Sequence, residues 1–168
     1  CRQLAAFLRA EVPGFREAWM TSLGPTVGVR ETRKLHGLYR LTAADVAAAT
    51  KFADGIVACA NPLDDVMRGD GGMTHDAAVA ENAYYTLPFR TLVPQQVENR
   101  LFAGRNVSAD PAAFASIRGM PQCMAMGQAS GNAAALALRA GIDVQALDPA
   151  LVVADMQAQG LRGLAGTP

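Results

Sequence analysis

The sequence predicts an α+β fold. Two observations carry that reading: apolar residues recur at helical spacing near both ends of the chain, and stretches with a period near two, some rich in β-branched residues, lie between them. A third supports it, since Gly and Pro pairs punctuate the boundaries.

In chain order, Leu4, Phe7 and Leu8 place a helix over 2–11, stopped by Pro13-Gly14. Phe15 to Leu23 reads equally as a helical turn or a strand. Gly24-Pro25 breaks the chain, and the shortened period from Thr26 to Leu35 predicts a strand. Gly37 then reads as a turn returning Leu38 to Leu41 as its partner. Thr42-Ala-Ala-Asp45 has capping-box spacing and predicts a helix over 43–50. Residues 51–82 are irregular, with loop chemistry at Asn61-Pro62 and Gly69 to Gly72 and one short strand at 56–59. Tyr84 to Leu92 is extended, with Pro88 confining it to an edge or a kink. A polar turn at Pro94 to Asn99 leads to a strand at 100–103, and a small-residue loop leads to a long helix from Pro121 to Arg139. Gly141 stands at its expected C′ position. Asp148-Pro149 opens a last helix to about Gln159, closed by Gly160.

The long helix is the most informative element. No charged residue lies between Gly119 and Leu138, yet Gln122, Gln128, Ser130 and Asn132 punctuate it, so it reads as a buried helix that lets a neighbour come close. The chain's 168 residues suffice for one domain with a core. With 15 basic and 15 acidic residues and no Lys/Arg run longer than two, no footprint for nucleic acid or an anionic membrane exists. Three cysteines (Cys1, Cys59, Cys123) without a CxxC argue against a disulfide framework or a structural zinc, and suit a reducing, cytoplasmic compartment. The chain begins in a helical pattern at Cys1, as a piece of a longer protein would.

A glycine after a strand lets backbone approach a ligand, and a helix N-terminus offers unpaired N–H groups and partial positive charge. Gly104 and the helix start at Pro121 supply both, with the amides of Gln122 and Cys123 expected free. Gly127 and Gly131 serve either that approach or a small-xxx-small helix contact. Arg30, Glu31, Arg33 and Lys34 lie two on each face of the expected strand, where they bind an acidic substrate group or form cross-strand ion pairs. Arg90 and Arg118 pose the same choice. His36 and His75 share no ligand spacing, so no metal site is expected. Cys123 near a helix start is either an activated thiol or a buried inert one. Ser108 and Ser116 lie outside any nucleophile-elbow pattern.

Three segments in this order, GVRETRKLHGLYRLTAADV at 28–46, YYTLPFRTLVP at 84–94 and NRLFAGRNVSADPAAFASIRGMPQCMAMGQASGNAAALAL at 99–138, resemble the C-terminal part of FAD-dependent oxidoreductases of the glutathione-reductase-like superfamily. The resemblance implies a mixed substrate/cap region over 1–98. It also implies that 99–168 is the final strand and helix of a Rossmann-like FAD-binding domain. It assigns Gly104, Arg105, Ser108, Arg118, Met120, Pro121, Gln122, Gly127 and Gly131 to the FAD side. Arg30, Arg33 and Arg90 become candidates for a small-molecule substrate, and no catalytic base emerges. The helix start around Met120 to Gln122 would face the pyrimidine side of the isoalloxazine. The family's G-x-G-x-x-G fingerprint is absent from these residues. The chain is therefore expected to need a nucleotide-binding domain N-terminal to it, to bind FAD weakly or not at all alone, and to self-associate through the face that domain would cover. Relatives tend to carry an acid followed by a histidine near 61–66, where this chain has Asn61-Pro62-Leu63-Asp64-Asp65-Val66. The competing reading is a non-catalytic interaction domain whose Gly/Ala helix packs on a partner.

Overall fold

A computed structural model describes residues 1–31, 33–63, 79 and 83–161. Thr32, His75 and the Gly69 to Gly72 excursion expected from sequence lie outside the described residues. The elements are α1 (Arg2–Glu11), α2 (Ala43–Ala47), β1 (Gly55–Cys59), β2 (Tyr85–Pro88), α3 (Pro111–Ile117), α4 (Met120–Ala140) and α5 (Pro149–Ala158), with single 3-10 turns at Phe89–Thr91 and Val144–Ala146. Helices with a two-stranded antiparallel sheet make this an α+β fold.

β1 and β2 pair with Cys59 opposite Tyr85 and Val57 opposite Leu87. α4 packs on β1, and α5 packs on both. The stripe Gln122, Met126, Ala129, Ala133 and Ala137 is the buried face of α4. Its small alanines let the helix lie close to β1 and α5, where Ile56 and Met156 are fully buried. The opposite face, with Met124, Gly127, Gly131 and Leu138, is exposed. The buried helix expected from its lack of charge is thus buried on one side, because uncharged small residues permit packing without supplying a neighbour.

Local signals placed most helix ends correctly. Thr42 Oγ1 accepts from Asp45 N–H at 3.2 Å while Asp45 Oδ2 accepts from Thr42 N–H at 2.9 Å, a complete capping box. α2 nonetheless spans only Ala43–Ala47, shorter than the expected 43–50. Gly141 closes α4 at φ 66°, and Asp148 Oδ1 accepts from Ala150 N–H at 2.9 Å ahead of Pro149.

The extended segments depart from expectation. Residues 26–35 and 38–41 do not form a hairpin. Instead the segment 35–41 threads between two distant stretches: Leu38 N–H donates to Val93 O, Gln95 N–H to His36 O, Leu35 N–H to Asn106 O and Leu41 N–H to Ser108 O. Gly37, read as a turn, is a close-approach position. A Cβ there would sit 2.8 Å from Ser108 Cβ and 3.1 Å from the carbonyls of Arg90 and Thr91. Residues 100–103 run without a regular strand, fixed by Phe102 N–H to Leu92 O at 2.9 Å. The stretch Tyr84 to Leu92 ends as a strand at Pro88 and tightens into a 3-10 turn. The expected loop before the long helix contains α3, whose N-cap Asp110 accepts from Ala113 N–H at 2.7 Å with Pro111 at the first helical position. That Asp-Pro signal repeats the one at Asp148-Pro149.

Candidate functional site

The turn at Ala103-Gly104 and the start of α4 are linked through Arg105, whose charge reaches Cys123 in the first turn of the helix. Gly104 adopts φ 89° with no atom within 4 Å of where a Cβ would lie, so its left-handed backbone faces free space. Val107 N–H closes the turn on Gly104 O at 3.2 Å. The exposed Arg105 reaches across and donates from Nη1 to Val29 O at 3.1 Å. That bond, with Leu35 N–H to Asn106 O, holds Val29 and Leu35 against the turn.

The result joins residues far apart in sequence. Arg30, Arg33 and Arg105 line one pocket of about 320 Å³ with Val29, Glu31, Ala103 and Asn106. Glu31 is paired with Lys34, whose ammonium also lies 4.5 Å from the Phe114 ring centroid. Among the described residues Arg30 and Arg33 have no counter-ion. Arg105 also acts on the first turn of α4: burial pushes the Cys123 thiol up, and the Arg105 charge opposes that. Cys123 is half-buried with its thiol protonated.

At the head of α4, Gly119 is the N-cap and provides no side-chain cap bond. Because the helix begins at Met120, Cys123 N–H is spent on Gly119 O at 3.0 Å. The expected free pair Gln122 and Cys123 becomes Met120 and Gln122, a shift of one position caused by Pro121 sitting second rather than first. Met120 and Pro121 are exposed. Gln122 turns inward at 7% exposure, its Oε1 without a partner and 2.5 Å from where a Cβ on Gly119 would lie. A side chain at 119 would have to displace the Gln122 amide. Arg118 is half-buried and engaged.

Beneath this turn lies a buried polar network that reading the sequence did not find. Ser116 Oγ donates to Asn61 O at 2.6 Å, so the 2.6 Å contact with Tyr85 is donated by the Tyr85 hydroxyl. Asn61 Nδ2 donates back to Ser116 O at 3.3 Å. Burial holds the Tyr85 hydroxyl far above its usual range and pushes the neighbouring Cys59 thiol up to about 12. The network ties the segment after β1, β2 and the end of α3 together. Its one sequence signal was a Tyr in an apolar strand, which needs a buried partner for its hydroxyl.

The remaining candidates lie elsewhere. Arg90 makes a bidentate pair with Asp54, Nε to Oδ2 at 2.8 Å and Nη2 to Oδ1 at 3.2 Å, and lies 5.2 Å from the Tyr39 ring centroid. That bond to Asp54 raises the Arg90 pKa. Arg90 is not among the pocket arginines. Ser108 is buried, its N–H bonded to Thr91 O and its carbonyl to Leu41 N–H. Gly127 and Gly131 face outward with nothing within 4 Å of a Cβ position, so among the described residues no helix packs on them. Among the described residues no group of three His, Cys, Asp or Glu is placed to hold a metal, and no helix is long and apolar enough to cross a membrane.

A family model described as FAD dependent oxidoreductase matches residues 1–159. No curated protein and no solved structure gives a significant match.

Proposed function

The chain belongs to the FAD dependent oxidoreductase family, and from that premise we propose that it is the C-terminal, flavin-facing part of a glutathione-reductase-like enzyme that transfers a hydride between a small organic substrate and FAD. In this reading residues 1–98 belong to a substrate/cap region and 99–168 complete a Rossmann-like FAD-binding domain.

Two local geometries support the reading, the open turn at Gly104 and the uncapped start of α4. The open, left-handed Gly104 has no Cβ to hold a planar ligand away. The uncapped helix start presents the Met120 and Gln122 amides and the positive end of a 21-residue dipole. These features fit a flavin, which when bound supplies the hydride-accepting centre. The residues of this chain do the rest. Gly104 and Arg105 lie along the ligand. The amides at 120 and 122 favour the negative charge that accumulates on reduction. Gly127 and Gly131 offer a face without side chains on which a nucleotide-binding domain can seat. The same open face supports self-association when that domain is absent. Arg30 and Arg33 face the substrate, while Arg90 holds the cap through Asp54.

Flavin content tests this. The 168-residue chain, purified after expression with excess riboflavin, is expected to be colourless and inactive. A version extended upstream through a strand–turn–helix bearing G-x-G-x-x-G is expected to carry about one FAD per chain. A yellow 168-residue preparation with stoichiometric FAD overturns the division. An extended protein without flavin overturns the function and favours an interaction module docking through the Gly127 and Gly131 face.

A further inference from the structure

We propose that Arg30, Arg33 and Arg105 form an oxyanion site that grips a carboxylate or phosphate group of the substrate. It rests on the reading above only in calling that ligand the substrate. Three arginines line a single pocket of about 320 Å³. The one carboxylate among its lining residues, Glu31, is already paired with Lys34 outside it. Arg30 and Arg33 meet no acid among the described residues, and Arg105 spends one Nη1 hydrogen on a neutral carbonyl, that of Val29. The charge of Arg105 is felt at Cys123, in the first turn of α4, so the positive end of that helix adds to the same field.

Like charges gathered without a partner destabilise a fold, and exposed arginines ordinarily splay apart or find acids. Here the backbone keeps two of them together. The bond from Arg105 to Val29 O and that from Leu35 N–H to Asn106 O hold the segment carrying Arg30 and Arg33 against the 103–106 turn. A planar fork of N–H donors on each arginine suits two oxygens of one anionic group. Arg105 follows Gly104 directly, so a group held here lies beside the open turn, where a reacting carbon attached to it would meet the flavin side.

Calorimetric titration of the 168-residue chain at low ionic strength tests the site without any flavin, so its outcome is independent of whether the chain belongs to a flavoenzyme. Succinate and inorganic phosphate are the probes, and ADP stands for the diphosphate of a nucleotide cofactor. Binding of succinate, of phosphate or of both is expected, and which one binds identifies the substrate's anionic group. Arg30→Gln, Arg33→Gln and Arg105→Gln should each weaken it about tenfold, Arg33→Lys less, and Arg139→Gln not at all. Raising the salt should weaken it as well. Thermal melts matching the wild type show that the exposed substitutions leave the fold intact. Failure of both probes to bind, or equal binding by the pocket variants and Arg139→Gln, overturns the proposal. Arginine-dependent binding of ADP alone also overturns it and gives the site to the cofactor.

Discussion

α1 and α5 are both ten residues long, and α1 is the more clearly amphipathic of the two. Yet α1 buries no residue, with Leu4 and Phe7 more than half exposed, while α5 buries Val152, Val153 and Met156. α5 begins on a side-chain cap at Asp148 and lies on α4 and β1. α1 starts at Cys1 without a side-chain cap bond and shares an open apolar cleft with Phe15, Trp19, Met20 and Leu23. The difference extends to whole regions, since no residue from 1 to 31 is buried and the core lies entirely beyond it. Periodicity creates a face; only a neighbour makes it core. Stability should therefore reside in the later region alone.

Truncating one aromatic in each region gives the largest contrast. Phe114→Ala removes a fully buried ring and should cost ~3–5 kcal/mol, whereas Phe7→Ala in α1 should change stability by less than about 0.5 kcal/mol in urea unfolding. Equal losses would mean that α1 has a partner in solution.

Two glycines give the next contrast. Gly37→Ala pushes a methyl into Ser108 and two carbonyls and should cost ~1–3 kcal/mol. Gly127→Ala meets nothing and removes a poor helix former, so it should raise stability by about 0.5–1 kcal/mol in the isolated chain. A loss at Gly127 would show that its face is occupied.

The smallest contrast is between two thiols. Cys59 is raised by burial from 9.0 to about 12, so its neutral form is the one the fold favours. Its contribution is complete below pH 9 and is lost as the pH climbs from about 9 towards 12, where only the unfolded thiol ionises. Melting temperature should fall across that window, and Cys59→Ala should flatten the fall in part, Tyr85 supplying the remainder. A thiol reagent at pH 8 should modify the exposed Cys1 and spare Cys59 until the chain unfolds.

What could be read from residues alone follows the range of the interaction. Helix boundaries at Asp45, Gly141 and Asp148-Pro149 rest on bonds spanning two to five residues, and they appear in the sequence. The α+β class followed from the same local periods. The hairpin expected from 26–35 and 38–41 failed because residues 35–41 bond instead to 93–95 and 106–110, which no local period can announce. Gly104 and the α4 start were singled out because glycine and helix N-termini have intrinsic properties, and Arg105 only through the family resemblance. The Tyr85–Ser116–Asn61 network was not, since each member is an ordinary residue until the others approach.

The sequence by itself determined where most helices start and stop, which α4 positions carry no side-chain bulk, and that its own charges balance. Only the tertiary structure decided which face of α4 is covered and which arginines meet. Arg90 was drawn into an ion pair with Asp54, while Arg30 and Arg33 were set in one pocket with Arg105 and no acid among the described residues pairs with them. Local conformation is fixed by bonds within a few residues, whereas burial and charge pairing depend on segments that the chain brings together only when folded.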